Sequence, residues 1–300
     1  NNNNKQKAPS SKQEKKEWYS SFDAIGKTGF DWKGGAERNT TGIWMWSEPF
    51  LLDDTNLAVL LIDTQGMFDH ETTMSLTASI FGFSTLLSSY QIYNVDKRIQ
   101  EDNLQHLALF SEYARMALGI EEEEKSGGAV ELNENGDATI YKTNQLKPFQ
   151  RMEFLVRDWQ HFEEEDDDDY DAMENTMEAY LDKVIAERDA KDLQETREQI
   201  LNCFEHISCY GLCHPGNAVT KKKYNGEVDV LDETFLHLLV RYCEKVFDDI
   251  TPKMIHGHQL TAEQLGVYIE SYAELFRSGA KFPTAGTMLE ATAKANNTNA

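Results

Sequence analysis

An acidic residue and a glycine follow directly after an apolar run in the first quarter of the chain. The run from Ala58 to Ile62 ends in Asp63, and Gly66 stands three residues further on. At the end of a strand, such an aspartate helps to hold Mg²⁺, and such a glycine offers its backbone N–H to the terminal phosphate of a nucleotide. A strand that simply ends in an Asx-turn carries the same residues, so this pattern alone leaves both interpretations open.

A second apolar run ends in a charged pair. Residues 154–156 are Phe-Leu-Val, and Arg157 and Asp158 follow. A carboxylate at a strand end can accept hydrogen bonds from both N1–H and the exocyclic amine of guanine, whereas adenine has no matching pair of donors. A site built in this way rejects adenine. An Arg–Asp pair on the surface is the alternative.

A glycine-rich polar segment, residues 29–42, precedes the first of these runs. Loops of this composition change conformation readily and often carry function. Its two hydroxyl residues, Thr40 and Thr41, are suited to completing the ligand shell of Mg²⁺ or to orienting a water molecule. Both residues are equally compatible with a turn, so their hydroxyls alone do not establish a Mg²⁺ site.

Two other patterns give weaker signals. Residues 21–28, Ser-Phe-Asp-Ala-Ile-Gly-Lys-Thr, come close to a phosphate-binding P-loop. A P-loop needs a buried strand before it and a helix after it, but a charged tail precedes this segment and three glycines follow it. The acidic run 163–169 favours a solvated loop over a calcium site, because it lacks the spaced glycine of a calcium loop.

The four cysteines lie in one half of the chain, which is typical of free thiols in a reducing compartment. Cys203, Cys209, Cys213 and His214 suggest zinc, but their spacing matches no structural zinc pattern. We therefore predict core cysteines.

The chain carries 29 Lys and Arg against 52 Asp and Glu, a formal net charge of −23. That balance argues against a general nucleic-acid or anionic-membrane surface. No apolar run reaches the ~18 residues that a membrane-spanning helix requires.

The elements that must position these residues follow from their apolar periodicity. We predict an α/β fold with a mixed, mostly parallel central sheet flanked by helices. The Asp63 strand is predicted to be buried, central and parallel, and to follow residues 43–52 in a hairpin. The remaining predictions are a helix after Gly66, strands near 88–95, 153–157 and 207–213, helices over 99–118, 172–203, 233–247, 261–276 and 287–295, and surface loops over 121–144 and 163–169.

Several longer motifs, taken in order, give the chain a resemblance to a known family. They are TGFDWKGGAERNTTGI, VLLIDTQGMFD, IQEDNLQHLALFSEYARMAL, FLVRDW, CHPG and PTAGTMLEATAKANN. They extend from about Thr28 to Asn297. With them the chain resembles the atlastins, which are dynamin-like large GTPases. The combination of DTQG with RDW separates it from the guanylate-binding proteins, the nearest relatives of the atlastins.

The resemblance implies a GTP-hydrolysing domain that uses Mg²⁺ and forms a homodimer through its nucleotide face. Family members use this cycle to tether and fuse tubules of the endoplasmic reticulum, with the domain facing the cytosol. By the same resemblance, Thr40 contacts Mg²⁺ and the attacking water, Asp63 lies on the Mg²⁺ side, and Gly66 contacts the γ-phosphate. Asn39 stands where the family usually has Glu, a change that nothing in the sequence explains.

The family pattern also assigns the base-binding residues. Arg157 and Asp158 match the guanine-recognition pair. His214 and Val219 fall in the loop that covers the guanine. The expected partners are therefore GTP or GDP and a second copy of the domain, with no nucleic acid.

Both ends of the chain depart from the family. The P-loop and its strand, expected ahead of Thr28, are missing, and the segments that reach the membrane would lie beyond Ala300. We expect a polar, disordered tail over 1–27, a truncated GTPase domain over 28–282, and a linker into a helical domain over 283–300. This chain alone should be a poor GTPase within an active parent protein. The alternatives are a pseudo-GTPase that acts as a dimerisation module, and a scaffold that uses none of these residues.

Overall fold

The computed structural model describes residues 29–32, 39–52, 55–66, 73–117, 130–132, 138–140, 147–162, 169–255 and 257–278. The helices are α1 (Met74–Leu87), α2 (Glu101–Ala117), α3 (Tyr170–Ile185), α4 (Lys191–Cys203), α5 (Glu233–Asp249) and α6 (Ala262–Ser278). The strands are β1 (Ile43–Met45), β2 (Phe50–Leu51), β3 (Ala58–Val59), β4 (Ile62–Thr64), β5 (Tyr90–Asp96), β6 (Val130–Leu132), β7 (Ala138–Ile140), β8 (Phe149–Arg157), β9 (Phe204–Leu212), β10 (Met254–Ile255) and β11 (His258–Gln259).

Three parallel strands form the centre of the described structure, in the order β5-β8-β9. Strand β8 lies between the other two. Apolar residues lie on both of its faces, and Met152, Phe154 and Val156 are fully shielded from solvent. Such a sequence is typical of a central parallel strand covered by helices. Helices α3 and α5 pack against β9, and α2 packs against α1 and α4. The predicted mixed α/β architecture with parallel strands is confirmed.

The segment around Asp63 differs from its prediction. The predicted hairpin is confirmed, because β1 pairs with β4 and β2 pairs with β3, both antiparallel. The prediction of a fully buried, central parallel strand is wrong for the described residues. The run is divided into β3 and β4, only Val59 in it is buried, and Leu61 is 39% exposed. The physical reason is that β4 has β1 on one edge, while the residues of this run line a cavity on the other side.

Helices α1 and α5 begin at residues that cap them. Thr73 accepts a hydrogen bond from the N–H of Leu76 at the start of α1, and Asp232 accepts one from Phe235 at the start of α5. Side chains of this kind satisfy backbone donors that have no partner within the helix. The helices predicted over 99–118, 233–247 and 261–276 are confirmed as α2, α5 and α6. The helix predicted over 287–295 lies outside the described residues.

Two other predictions need correction. The helical region predicted over 172–203 is two helices, α3 and α4, separated by residues 186–190. The backbone turns after α3, where Ala186 has an extended ψ of 153°. The surface loop predicted over 121–144 contains an antiparallel hairpin of β6 and β7. The acidic run 163–169 lies outside the described residues except for Asp169, which caps α3.

The prediction that the cysteines are core residues is confirmed only in part. Cys203 and Cys209 are buried, whereas Cys213 and Cys243 are half-buried, and all four are free thiols. Burial, with a smaller contribution from Glu153, raises the pKa of the Cys209 thiol to about 12. A thiol in such an environment is chemically inert and packs as a small apolar residue.

Lys253 is a buried amine whose titration should be visible in the stability of the fold. Its side chain is 9% exposed, and its Nζ donates a hydrogen bond to the Ser88 carbonyl at 2.7 Å. Burial lowers the pKa of this ammonium to about 7. The unfolded chain, with an ordinary lysine pKa, binds the proton more tightly between pH 7 and pH 10. The free energy of unfolding should therefore rise with pH in that window, by up to about 1.4 kcal/mol per pH unit.

Replacing this residue tests the assignment. In Lys253→Met we expect this pH dependence to disappear. The free energy of unfolding of the variant should exceed that of the parent protein most near pH 6.5, and the difference should shrink toward pH 10. Urea unfolding at several pH values measures the difference. Lys191→Met is the matched control, because the Lys191 side chain is 89% exposed and should leave the slope unchanged. Parallel pH profiles for the parent protein and Lys253→Met would contradict the assignment.

Candidate functional site

Thr40 and Asp63, which lie 23 residues apart in the sequence, are in direct contact. The Thr40 hydroxyl donates a hydrogen bond to the Asp63 carboxylate, Oγ1 to Oδ2, at 2.7 Å. Asp63 lies in β4 and pairs with Trp44 of β1, so the antiparallel pairing holds it at a fixed position. Two of the residues that the sequence predicted as Mg²⁺ ligands are therefore adjacent, one from each segment.

A second set of bonds fixes the same two segments to each other. The N–H of Gln65 donates to the Gly42 carbonyl at 2.8 Å, and the N–H of Gly42 donates to Gln65 Oε1 at 3.0 Å. Gly42 has a φ of +75°, a conformation that glycine adopts at little cost, and Gln65 is only 5% exposed. This reciprocal pair positions Thr40 beside Asp63. Gln65 was not predicted as a site residue, although it stands within the DTQG motif.

Arg157 and Asp158 lie at the carboxyl end of β8, as predicted. Ligands of parallel sheets bind at this edge. The Arg157 guanidinium donates to Asn94 Oδ1 of β5 at 2.7 Å, and the N–H of Lys97 donates to the Arg157 carbonyl. Asp158 has a φ of +54°, in the left-handed region that only short polar side chains and glycine tolerate well. The residue follows β8 directly and is half-exposed.

The loop that follows β9 approaches the same edge. The N–H of Trp159 donates to the Leu212 carbonyl, which places the end of β9 beside Asp158. Within the loop, the N–H of Gly216 donates to His214 Nδ1 at 3.0 Å, and the N–H of Asp232 donates to the Pro215 carbonyl. His214 itself is exposed, and Val219, four residues beyond Pro215, is half-buried.

An aromatic contact connects this loop to the glycine-rich segment. The ring of Trp32 lies 6.3 Å from that of Tyr224, centroid to centroid. Residues 29–32 and the loop after β9 therefore meet in the described structure. Lys221, Lys222 and Lys223, the basic cluster of this loop, are exposed to solvent.

The pKa of the Cys213 thiol depends on burial and on nearby carboxylates. Burial raises the pKa of this thiol to about 12, and the carboxylates of Asp232 and Asp158 add to the effect. Asp232 and Asp158 thus contribute negative charge beside the Cys213 thiol, at the end of β9.

The Thr40 and Asp63 oxygens fit Mg²⁺. A hydroxyl and a carboxylate oxygen are hard ligands, and Mg²⁺ is commonly held by one or two protein oxygens together with substrate phosphates and water. Within the described ranges there is no cluster of three His, Cys, Asp or Glu side chains that could hold a metal by protein ligands alone. The donor set therefore suits an ion that arrives with a phosphate ligand.

The described contacts bring the predicted site residues together in two groups. Thr40 and Asp63 form one group, and exposed Gly66 follows it in sequence. Arg157, Asp158 and the loop that carries His214 and Val219 form the other. Neither the cavity lined by residues 56–62 and 88–92 nor the one lined by residues of α3, β9 and α5 contains any of these seven residues. The sequence analysis missed Asn94, which holds Arg157, and Asp232, which holds the loop after β9. Single polar residues at strand and helix ends give no distinctive sequence signal.

The bond between Gln65 and Gly42 gives a direct prediction. Gln65→Ala removes the acceptor of the Gly42 N–H, which should raise the hydrogen-exchange rate of that amide about fivefold, in line with the loss of one hydrogen bond of ~1 kcal/mol. Gln65→Glu retains an acceptor oxygen and should exchange at nearly the parent rate. Exchange measured by NMR distinguishes the two variants. Equal rates in the parent protein and Gln65→Ala would show that the side chain does not hold this segment.

Comparisons with known proteins identify the family of this chain. The family model of the guanylate-binding protein, N-terminal domain, matches residues 16–254. The chain therefore belongs to the guanylate-binding protein N-terminal domain family, a class of GTPase domains, and its mixed α/β structure with parallel strands fits that class. Within this class it is atlastin-like.

Three curated relatives illustrate the similarity. The chain is 37% identical to Atlastin-1 of Rattus norvegicus over 292 residues, 95% of this chain and 47% of that protein. It is 37% identical to Atlastin of Drosophila melanogaster over 278 residues, covering 91% of this chain and 46% of that protein. It is also 37% identical to Atlastin-2 of Homo sapiens over 276 residues, covering 90% and 43% respectively. The chain thus spans about half the length of the curated relatives it matches. Among the described helices, none has the length and apolar character needed to cross a membrane.

Proposed function

We propose that this chain carries the base-recognition and switch residues of a protein that binds GTP and GDP with Mg²⁺ and hydrolyses GTP, within a GTPase domain over residues 28–282. The contact between Thr40 Oγ1 and Asp63 Oδ2 at 2.7 Å carries the proposal, because it joins the two predicted Mg²⁺ ligands from separate segments. Family membership supports the same function.

Asp158 is the residue that selects the base. It follows the last residue of β8 directly and has a left-handed backbone, with a φ of +54°. Such a carboxylate accepts from N1–H and the exocyclic amine of guanine, and an adenine in the same place would leave it without donors. Arg157, held by Asn94, flanks the base. His214 and Val219 belong to the loop that covers it.

Thr40, Asp63 and Gly66 act at the phosphate end. When bound, Mg²⁺ offsets the charge of the phosphate oxygens. The Thr40 hydroxyl orients the attacking water, and the Gly66 N–H donates to the γ-phosphate. Hydrolysis then depends on positioning and on charge stabilisation of an in-line attack, with no covalent intermediate.

The proposal for the whole protein follows its relatives. Two copies would associate through the nucleotide face, which orders the switch segments and excludes water. The cycle would tether and fuse membranes of the endoplasmic reticulum, with this domain on the cytosolic side. The similarity of the chain to atlastins supports this part of the proposal.

The test is titration of a fluorescent GDP analogue with and without Mg²⁺, on this chain and on a longer natural form of the protein. We expect tight, Mg²⁺-dependent binding by the longer form, and loss of the Mg²⁺ dependence in Thr40→Val. Thr41→Val is the matched control, since Thr41 is an exposed neighbouring hydroxyl and should bind like the parent protein. Absence of binding by both forms would overturn the proposal and favour the pseudo-GTPase alternative.

A further inference from the structure

Two neighbouring strands, β5 and β8, are each followed directly by a residue with a left-handed backbone. Lys97 after β5 has a φ of +60°, and Asp158 after β8 has a φ of +54°. The N–H of Lys97 donates to the Arg157 carbonyl at 2.7 Å, so the two turns are adjacent. Aspartate tolerates this conformation, but a lysine in it is strained, and such strain persists only where the surrounding structure holds it.

Tyr180 of α3 bonds the first of these turns. Its hydroxyl oxygen accepts a hydrogen bond from the N–H of Ile99 at 2.8 Å, across 81 positions of the sequence. Ile99 follows Lys97 by two residues and is 7% exposed. A buried N–H that lacks an acceptor costs free energy. The Tyr180 hydroxyl therefore stabilises the turn after β5 in its strained conformation.

The ring of Tyr180 contacts the second turn. It lies edge-on to the Trp159 ring, with centroids 4.9 Å apart and planes at 88°, and it stacks on the His161 ring at 5.9 Å and 10°. Aromatic pairs at these distances are attractive beyond the area that they bury. Trp159 comes directly after Asp158 in the sequence, so contacts that hold the Trp159 ring also restrict the backbone of Asp158.

Helix α3 gives Tyr180 a position that does not depend on the two turns. Met177 and Leu181, one turn before and one residue after it, are buried. The helix packs against β9, and the N–H of Gly211 in β9 donates to Met177 Sδ at 3.1 Å. Tyr180 is therefore attached to the sheet through its own helix, and it contacts both turns from there.

We propose that Tyr180 is a positioning residue for base recognition, because its hydroxyl and its ring together hold the turns after β5 and β8 in the geometry that lets Asp158 accept both donors of guanine. Tyr180 acts through Ile99 and Trp159. The inference rests on the proposed function, in which Asp158 selects the base.

The test compares GDP with inosine diphosphate, IDP, whose base retains N1–H but lacks the exocyclic amine. Both Kd values are measured by competition against a fluorescent GDP analogue, in the longer natural form of the protein. The parent protein should prefer GDP about 20-fold, because only guanine makes a second hydrogen bond to the carboxylate.

Tyr180→Phe removes the hydroxyl alone. A displaced carboxylate still accepts N1–H with one oxygen, but its second oxygen no longer meets the amine. We therefore expect GDP binding to weaken about fivefold and IDP binding less than about twofold, so that the preference for GDP falls below about 10-fold.

Tyr210→Phe is the matched control. It also removes a tyrosine hydroxyl that bonds the backbone, since Tyr210 donates to the Leu238 carbonyl at 3.0 Å. Both variants should lose stability in urea unfolding. A smaller folded fraction weakens the apparent binding of GDP and IDP equally, so the preference for GDP should fall in Tyr180→Phe and remain unchanged in Tyr210→Phe.

A second measurement needs no nucleotide. In the 300-residue chain, amide exchange of Ile99 followed by NMR should become about fivefold faster in Tyr180→Phe, in line with the loss of one hydrogen bond, and should keep the parent rate in Tyr210→Phe.

Three results would overturn the proposal alone. They are a preference for GDP that Tyr180→Phe retains in full, an equal fall of this preference in Tyr210→Phe, and an unchanged exchange rate of Ile99 in Tyr180→Phe. A parent protein that binds GDP and IDP equally would contradict the proposed role of Asp158 and, with it, this proposal. The two failures are therefore distinguishable.

Discussion

Asp158→Asn should weaken the binding of guanine nucleotides about 100-fold and create binding of xanthine nucleotides. Guanine offers two donors, N1–H and the exocyclic amine, to one carboxylate. An asparagine keeps one acceptor oxygen but sets its NH₂ group against the guanine amine, donor against donor. Xanthine carries a carbonyl in place of that amine, so it accepts the bond that asparagine donates. Competition of GDP and XDP against a fluorescent GDP analogue, in the longer form of the protein, measures both changes.

Asparagine is the appropriate replacement because of the backbone. Asp158 has a φ of +54°, and asparagine tolerates this left-handed conformation, whereas alanine would add a backbone cost of ~1–2 kcal/mol. Asp229→Asn removes the same charge from an exposed position in the loop after β9 and should bind guanine normally. Equal losses in both variants would mean that net charge, rather than base recognition, controls affinity. Unchanged affinity in Asp158→Asn would remove Asp158 from the base site.

The sequence predicted the parts of the fold that depend on local patterns. Strand β8 was predictable because an apolar run followed by Arg157 and Asp158 is typical of a buried strand that ends at a sheet edge. Helix α5 was predictable from its apolar spacing. These signals are short-range, so a single sequence contains them in full. The residues predicted for the base and for Mg²⁺ belong to such segments.

The contacts between distant segments could not be predicted from local sequence patterns. The hydrogen bonds of Gln65 with Gly42 connect positions 23 residues apart, and nothing in either local sequence indicates the partner. The Asp63 strand was predicted as buried because apolar runs usually are, but burial depends on a neighbouring strand rather than on the run itself. The exposure of Leu61 is therefore visible only in the structure.

Gly211 is the clearest case of a requirement hidden from the sequence. It lies in β9, and a Cβ atom at this position would stand 2.8 Å from Cδ2 and 2.9 Å from Cγ of the Trp159 ring. Trp159 is 3% exposed and packs edge-on against Tyr180, with ring centroids 4.9 Å apart, so the ring has little space to move. The glycine thus allows the tryptophan after Asp158 to lie flat on β9.

Gly211→Val should therefore destabilise the protein by about 3 kcal/mol, at the upper end of the cost of overpacking. It should also weaken guanine binding, because a displaced Trp159 moves the adjacent Asp158. Urea unfolding and nucleotide titration measure the two effects. Gly266→Val is the control for the exchange of glycine for valine, since a Cβ at Gly266 on α6 meets nothing within 4 Å.

The cause can be isolated by a second substitution. If the clash with the indole ring is responsible, Trp159→Leu should cost less stability in the Gly211→Val background than in the parent protein, because the smaller side chain makes room for the valine. Additive losses would place the defect in the backbone of β9 instead. Partial recovery of stability without recovery of guanine binding would show that the Trp159 ring itself holds Asp158 at the sheet edge. Stability and recognition would then both depend on the same packing contact.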